Sequence, residues 1–145
     1  MITILLLLRR ASHSRVLLLG RLPGSDRFVD ALRNAGSELV PGALVSRIES
    51  GLFYFNVQNV KAEILSQAGT YSGLKLVILD LSTSANIDLA GGRMLSDLHR
   101  ELTARGAQLK LAEVHGNVRD LLQANGLQEK VEGIEHRVAV AALTR

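Results

Sequence analysis

The strongest constraint in this chain is a junction between two unlike patterns. Leu76-Val77-Ile78-Leu79 is an unbroken apolar run, closed by Asp80-Leu81-Ser82. A short β-rich run bounded by turn residues reads as a central strand. Ile87-Asp88-Leu89-Ala90-Gly91-Gly92 follows a brief polar loop, and the apolar residues then switch to helical spacing. A buried strand that hands over directly to a helix is the building unit of an α/β fold.

The rest of the chain repeats that alternation. Residues 15–20 read as an apolar strand, and Leu22-Pro23-Gly24-Ser25 as a turn. Residues 26–35 fit a short helix, capped by Ser25 or Asp26 and stopped by Gly36. Residues 43–49 predict a strand, with Leu44, Val45 and Ile48 as its apolar members. Asn56 is placed to cap a helix that carries Val57, Val60, Ile64 and Ala68 inward and ends at Gly69. The longest helix spans 89–105, with Gly91, Leu95, Leu98 and Leu102 on one stripe and Gly106 as its cap. A strand over 107–114 and a helix over 117–124 come next. A last helix over 136–143 turns Val138, Ala141 and Ala142 inward.

Composition removes several functions. There is no cysteine, so disulfides, thiolate nucleophiles and thiolate-bound zinc are excluded. Aromatic residues are 3% of the chain, too few for a base-stacking surface, so nucleic acid is not an expected partner. The net charge is +3, and Arg9, Arg10, Arg15 and Arg21 more than supply it. Those arginines follow Ile2-Thr3-Ile4-Leu5-Leu6-Leu7-Leu8. That run is far short of the roughly 20 residues of a spanning helix, and its charges lie on the wrong side for a signal peptide. It fits the last turns of a spanning helix with arginines at the boundary, or an apolar first strand.

Chemistry-bearing residues are sparse. His13, His99, His115 and His136 fall on separate elements without metal-ligand spacing. Asp80 and Asp88 have no nucleophile or metal set beside them, so they read as structural acids. Gly91-Gly92 matches neither a phosphate loop nor a dinucleotide fingerprint. The helix start at Asp88 does offer backbone N–H groups to an anion. Leu52-Phe53-Tyr54-Phe55 reads as core, with an exposed docking patch as the alternative.

Taken together these segments resemble the STAS domain (sulfate transporter and anti-sigma-factor antagonist) of SulP-family, sulfate permease type anion transporters. The likeness is carried by Leu19-Gly20-Arg21-Leu22-Pro23-Gly24-Ser25-Asp26, Val40-Pro41-Gly42, Leu52-Phe53-Tyr54-Phe55-Asn56 and Asp80-Leu81-Ser82. Ile87-Asp88 with Gly91, Leu98-His99-Arg100-Glu101-Leu102 and Val118-Arg119-Asp120-Leu121-Leu122 extend it. Each motif is weak alone; their order and spacing are specific. The resemblance implies a mixed sheet of four to five strands with helices packed mainly on one face. It makes residues 1–10 the end of the last transmembrane helix with its basic boundary, and 11–145 the STAS domain.

Free-standing relatives, the anti-sigma-factor antagonists, are phosphorylated on the serine before the glycine of Asp-Ser-Ser-Gly. Asp88 and Gly91 match that motif, whereas Ala90 holds the phosphoacceptor position and cannot be phosphorylated. The resemblance therefore implies a non-catalytic regulatory or interaction domain on the cytoplasmic face of the plasma membrane, belonging to a sulfate-type anion transporter. The alternative is a free-standing antagonist-like protein. Ser82, Asp88, Leu89, Ala90 and Gly91 form the candidate loop for a partner, or for a weakly held nucleotide or anion. No metal or other cofactor is expected. The implied partners are the transporter's own transmembrane domain, a second copy and a regulatory protein.

Overall fold

The computed structural model describes residues 16–144. The leucine run, Arg9, Arg10 and His13 lie outside the described residues. Five strands form one sheet: β1 (Val16–Arg21), β2 (Phe28–Asp30), β3 (Ala43–Ile48), β4 (Leu76–Asp80) and β5 (Gln108–Ala112). Their spatial order is β2-β1-β3-β4-β5. β1 runs antiparallel to both β2 and β3, while β3, β4 and β5 are parallel. The parallel strands are joined by α1 (Val57–Gly69) and α2 (Leu89–Ala104), and α3 (Gly116–Ala124) follows β5. The mixed sheet of the expected fold class is thus present.

The helices gather on one face because the strands offer their bulkier row there. Leu44, Ile48, Val77, Leu79, Leu109 and Leu111 meet Val60 and Ile64 of α1, Leu95, Leu98 and Leu102 of α2, and Val118 and Leu122 of α3. Strand residues alternate between faces, so Leu19, Val45, Ile78 and Ala112 point the other way. Among the described residues, that second face is covered by α4 (Val140–Leu143), through Val140 and Leu143, with Phe28, Val40 and Val138 packed against the same cluster. Each buried Leu, Ile or Val side chain among them contributes about 1.5–3 kcal/mol by leaving water. Two residues past the end of α2, Gly106 takes a φ of 81° and lets Ala107 N–H donate to the Leu102 carbonyl.

Three local expectations fail. Residues 26–35 hold no helix. Phe28–Asp30 pairs with Leu19, Gly20 and Arg21 as the edge strand β2. Ser25 is not a helix cap: its hydroxyl donates to the Leu22 carbonyl and accepts from Arg27 N–H, closing a turn. Pairing with β1 prevails over a weak helical propensity. The final helix shrinks to Val140–Leu143, because Glu113 N–H donates to the Val138 carbonyl and holds the preceding segment extended along the sheet. Ala142 accordingly faces solvent. Asn56 does precede α1, yet its side chain caps nothing. Its Oδ1 accepts from Phe53 N–H, and its Nδ2 donates to the Gly51 carbonyl.

Candidate functional site

The β4–α2 junction lies at the carboxyl ends of the parallel strands, where open α/β sheets present their loops to ligands. Asp80 closes β4 and is buried. Its Oδ2 accepts from Arg47 Nε at 3.0 Å, and its Oδ1 accepts from Ser82 N–H at 2.9 Å. One carboxylate thus ties β3 to β4 and starts the loop. Ser84 is buried and donates to the Ser50 carbonyl at 2.7 Å; Thr83 donates to the Ile48 carbonyl at 2.6 Å. His115 Nε2 lies 2.7 Å from the Ser82 carbonyl oxygen, and Asn117 Nδ2 donates to the Ala85 carbonyl at 2.7 Å. The loop is clamped from both flanks. Truncating the buried acid, Asp80→Ala, is expected to cost about 1–2 kcal/mol in chemical denaturation. The half-open Arg47 left behind recovers part of its solvation.

Asp88 caps α2. Its Oδ1 accepts from Gly91 N–H at 2.9 Å, while its Oδ2 accepts from Tyr54 N–H at 3.0 Å. Both oxygens are therefore engaged by backbone donors. Leu52 and Ile87 form a parallel bridge, with Leu52 N–H donating to the Asn86 carbonyl and Asp88 N–H to the Leu52 carbonyl. Loop 52–56 and the start of α2 are thereby one unit. The close approach requires glycine: a Cβ on Gly91 would sit 2.6 Å from the Leu52 carbonyl oxygen. Ala90 packs partly against the main core, and Leu89 is half exposed.

Of the five residues expected at the site, Asp88, Leu89, Ala90 and Gly91 come together at the helix start. Ser82 sits apart, its carbonyl facing His115. The aromatic cluster departs from the core reading. Leu52 is fully buried, but Tyr54 and Phe55 are 78% and 56% exposed. Phe55 stacks on Phe53 at 5.5 Å and meets Tyr54 edge-on at 5.6 Å. Tyr54 N–H ties this exposed loop to Asp88 at the start of α2, whose first residue, Leu89, is also half exposed. Among the described residues, no group of three His, Asp or Glu side chains gathers as a metal site. No helix there is long and apolar enough to cross a membrane.

The sequence model of the STAS domain matches residues 35–141. The chain belongs to the STAS domain family. A sulfate transporter of Arabidopsis thaliana is 32% identical over 103 residues, which cover 63% of this chain and 15% of that protein. A probable sulfate transporter of Mycobacterium tuberculosis is 29% identical over 136 residues, covering 93% of this chain and 24% of that protein. This STAS chain thus spans a quarter or less of the length of these relatives. Among solved structures, the murine Solute Carrier 26 family member A9 anion transporter superposes with a TM-score of 0.80 at 19% identity. That match covers 97% of this chain and 23% of that one. A candidate anti-sigma factor antagonist from Thermotoga maritima shares the fold with a TM-score of 0.58 at 17% identity, covering 66% of this chain and 80% of that one.

Proposed function

We propose that this STAS domain is the non-catalytic interaction domain of a sulfate-type anion transporter, held at the cytoplasmic face of the membrane. Residues 1–10 then close the last transmembrane helix, and 11–145 form the domain. The sulfate transporter relatives, whose matching segments are parts of much longer proteins, support the reading. The observation that carries the site's role is the helix start itself. Where the antagonists bear a phosphoacceptor, this chain has Ala90, partly packed in the core. The carboxylate beside it already caps the helix, so a free phosphate or nucleotide would face its negative charge. The surface is left to protein contacts through Tyr54, Phe55 and Leu89.

Two measurements test this. The reading frame upstream of Met1 should encode a series of apolar spans, and its product should restore sulfate uptake to a bacterial strain that lacks it. A frame that starts at Met1 would overturn the transporter reading and leave the free-standing antagonist. Separately, incubation with an anti-sigma kinase and labelled ATP should leave the wild-type chain unlabelled. Labelling of Ala90→Ser alone would show that the scaffold is intact and only the hydroxyl is missing. Labelling of the wild type would remove the reading that Ala90 leaves this chain without a phosphoacceptor.

A further inference from the structure

α1, α2 and α3 pack on the large core of one sheet face, whereas residues 137–144 lie on the other. There α4 buries Val140 and Leu143, and a helix of four residues does not hold without such a seat. The other ties are polar and marginal. Glu113 N–H donates to the Val138 carbonyl at 2.8 Å, and the Glu113 carboxylate meets Arg137 at 2.7 Å, with the arginine side chain 55% exposed. Lys110 Nζ reaches the Leu143 carbonyl at 3.4 Å. A cleft of about 570 Å³ runs between Val138 and Leu143 on one side and Lys130 and Gly133 on the other, so these segments do not pack together along it.

Closure also carries two local costs. Among the described residues, Glu113 alone besides glycines holds a positive φ, at 57°. Its N–H and its carboxylate both serve residues 137–138, so this strain is tied to the closed segment. Arg21 donates from Nη2 to Thr144 Oγ1 at 2.9 Å, while its buried Nε finds no partner among the described residues. Such a group regains water when its cover lifts. A hinge is marked as well. Ile134 is buried and its carbonyl accepts from Arg119 Nε at 2.8 Å, which fixes the chain up to that point. Glu135 and His136 follow, both exposed, and no main-chain hydrogen bond among the described residues holds either.

We infer that residues 137–144 are a lid, which opens as one unit about Glu135–His136 while the sheet and α1–α3 stay folded. Opening bares Leu19, Val45, Ile78 and Ala112. Burial of that row keeps the closed state dominant, so the open state is a minor population. The second sheet face is thus reached in one state and shut in the other. This device is separate from the α2 start and does not depend on the transporter reading.

Native-state hydrogen exchange on the full chain tests it. The amides of Glu113, bonded to Val138, and of Ala142, bonded to Ala139, should share one protection factor. It should fall on the order of a hundredfold below that of Ile78 and Leu79 in β4. Arg137→Gln should speed both amides by about two- to fivefold and leave β4 unchanged. Val140→Ser with Leu143→Ser should hold the lid open, so that an apolar dye binds while β4 remains protected. Wild-type Glu113 protected as well as β4 would overturn the lid. So would an Ala142 amide that exchanges while Glu113 does not, which is fraying of α4 alone. Loss of β4 protection in the double serine variant would overturn it too, by making α4 part of the core that the whole fold needs.

Discussion

Gly91→Ala is expected to lower stability by about 2–3 kcal/mol, while the same change one residue on, Gly92→Ala, leaves it unchanged or raises it. The contrast follows from what each new methyl meets. At Gly91 it would lie 2.6 Å from the Leu52 carbonyl oxygen, 2.9 Å from Leu52 Cβ and 3.1 Å from Ile87 Cβ. Leu52 cannot yield, because its N–H and carbonyl are both bonded to the segment that leads into α2. Relief would have to break the Leu52–Ile87 bridge and pull Tyr54 from Asp88. At Gly92 the nearest atom is Asn125 Nδ2 at 2.5 Å, the end of an exposed side chain that can swing away. Alanine there also gains helix propensity, up to about 1 kcal/mol. In thermal unfolding, Gly91→Ala should melt about 6–10 °C below the wild type. Equal melting temperatures for the two variants would show that the loop is not seated on the helix as described.

That seat explains why the site was only half legible in the sequence. The strand Leu76–Asp80 and the helix from Leu89 were plain, because both carry strong periodicity with a clear stop. Asp88 and the two glycines could be placed at the helix start from spacing alone. The partner of Asp88 could not: Tyr54 lies 34 positions away, and nothing local marks it. Three successive aromatics read as core, yet neighbouring side chains cannot all face one way. Leu52 and Val57 took the buried positions and left Tyr54 and Phe55 outside. The misread helix at 26–35 has the same origin. Phe28 and Val29 look ambiguous in isolation, and the antiparallel β1 beside them decides for a strand.

Gly133→Ala is expected to have the larger effect, about 3–5 kcal/mol, at a position no motif marked. Gly133 holds φ at 101°, outside the small left-handed region open to side-chain-bearing residues. A Cβ there would sit 1.8 Å from the Leu111 carbonyl oxygen, an overlap with main chain that no rotamer can relieve. The segment around it straps the outer edge of β5. Leu111 N–H donates to the Glu132 carbonyl at 2.9 Å, Lys110 pairs with the Glu132 carboxylate at 3.1 Å, and Val131 and Ile134 are buried on either side. Forcing the strap outward would expose those two side chains and open the edge of β5, a template for pairing with another chain. The variant should therefore melt at least about 10 °C below the wild type and associate as its concentration rises in light scattering. Gly126→Asn is the control. Its φ of 71° lies where asparagine is tolerated and nothing crowds its Cβ, so the loss should stay within about 1 kcal/mol. A Gly133→Ala protein that melts with the wild type and stays monomeric would mean that the strap does not bind β5.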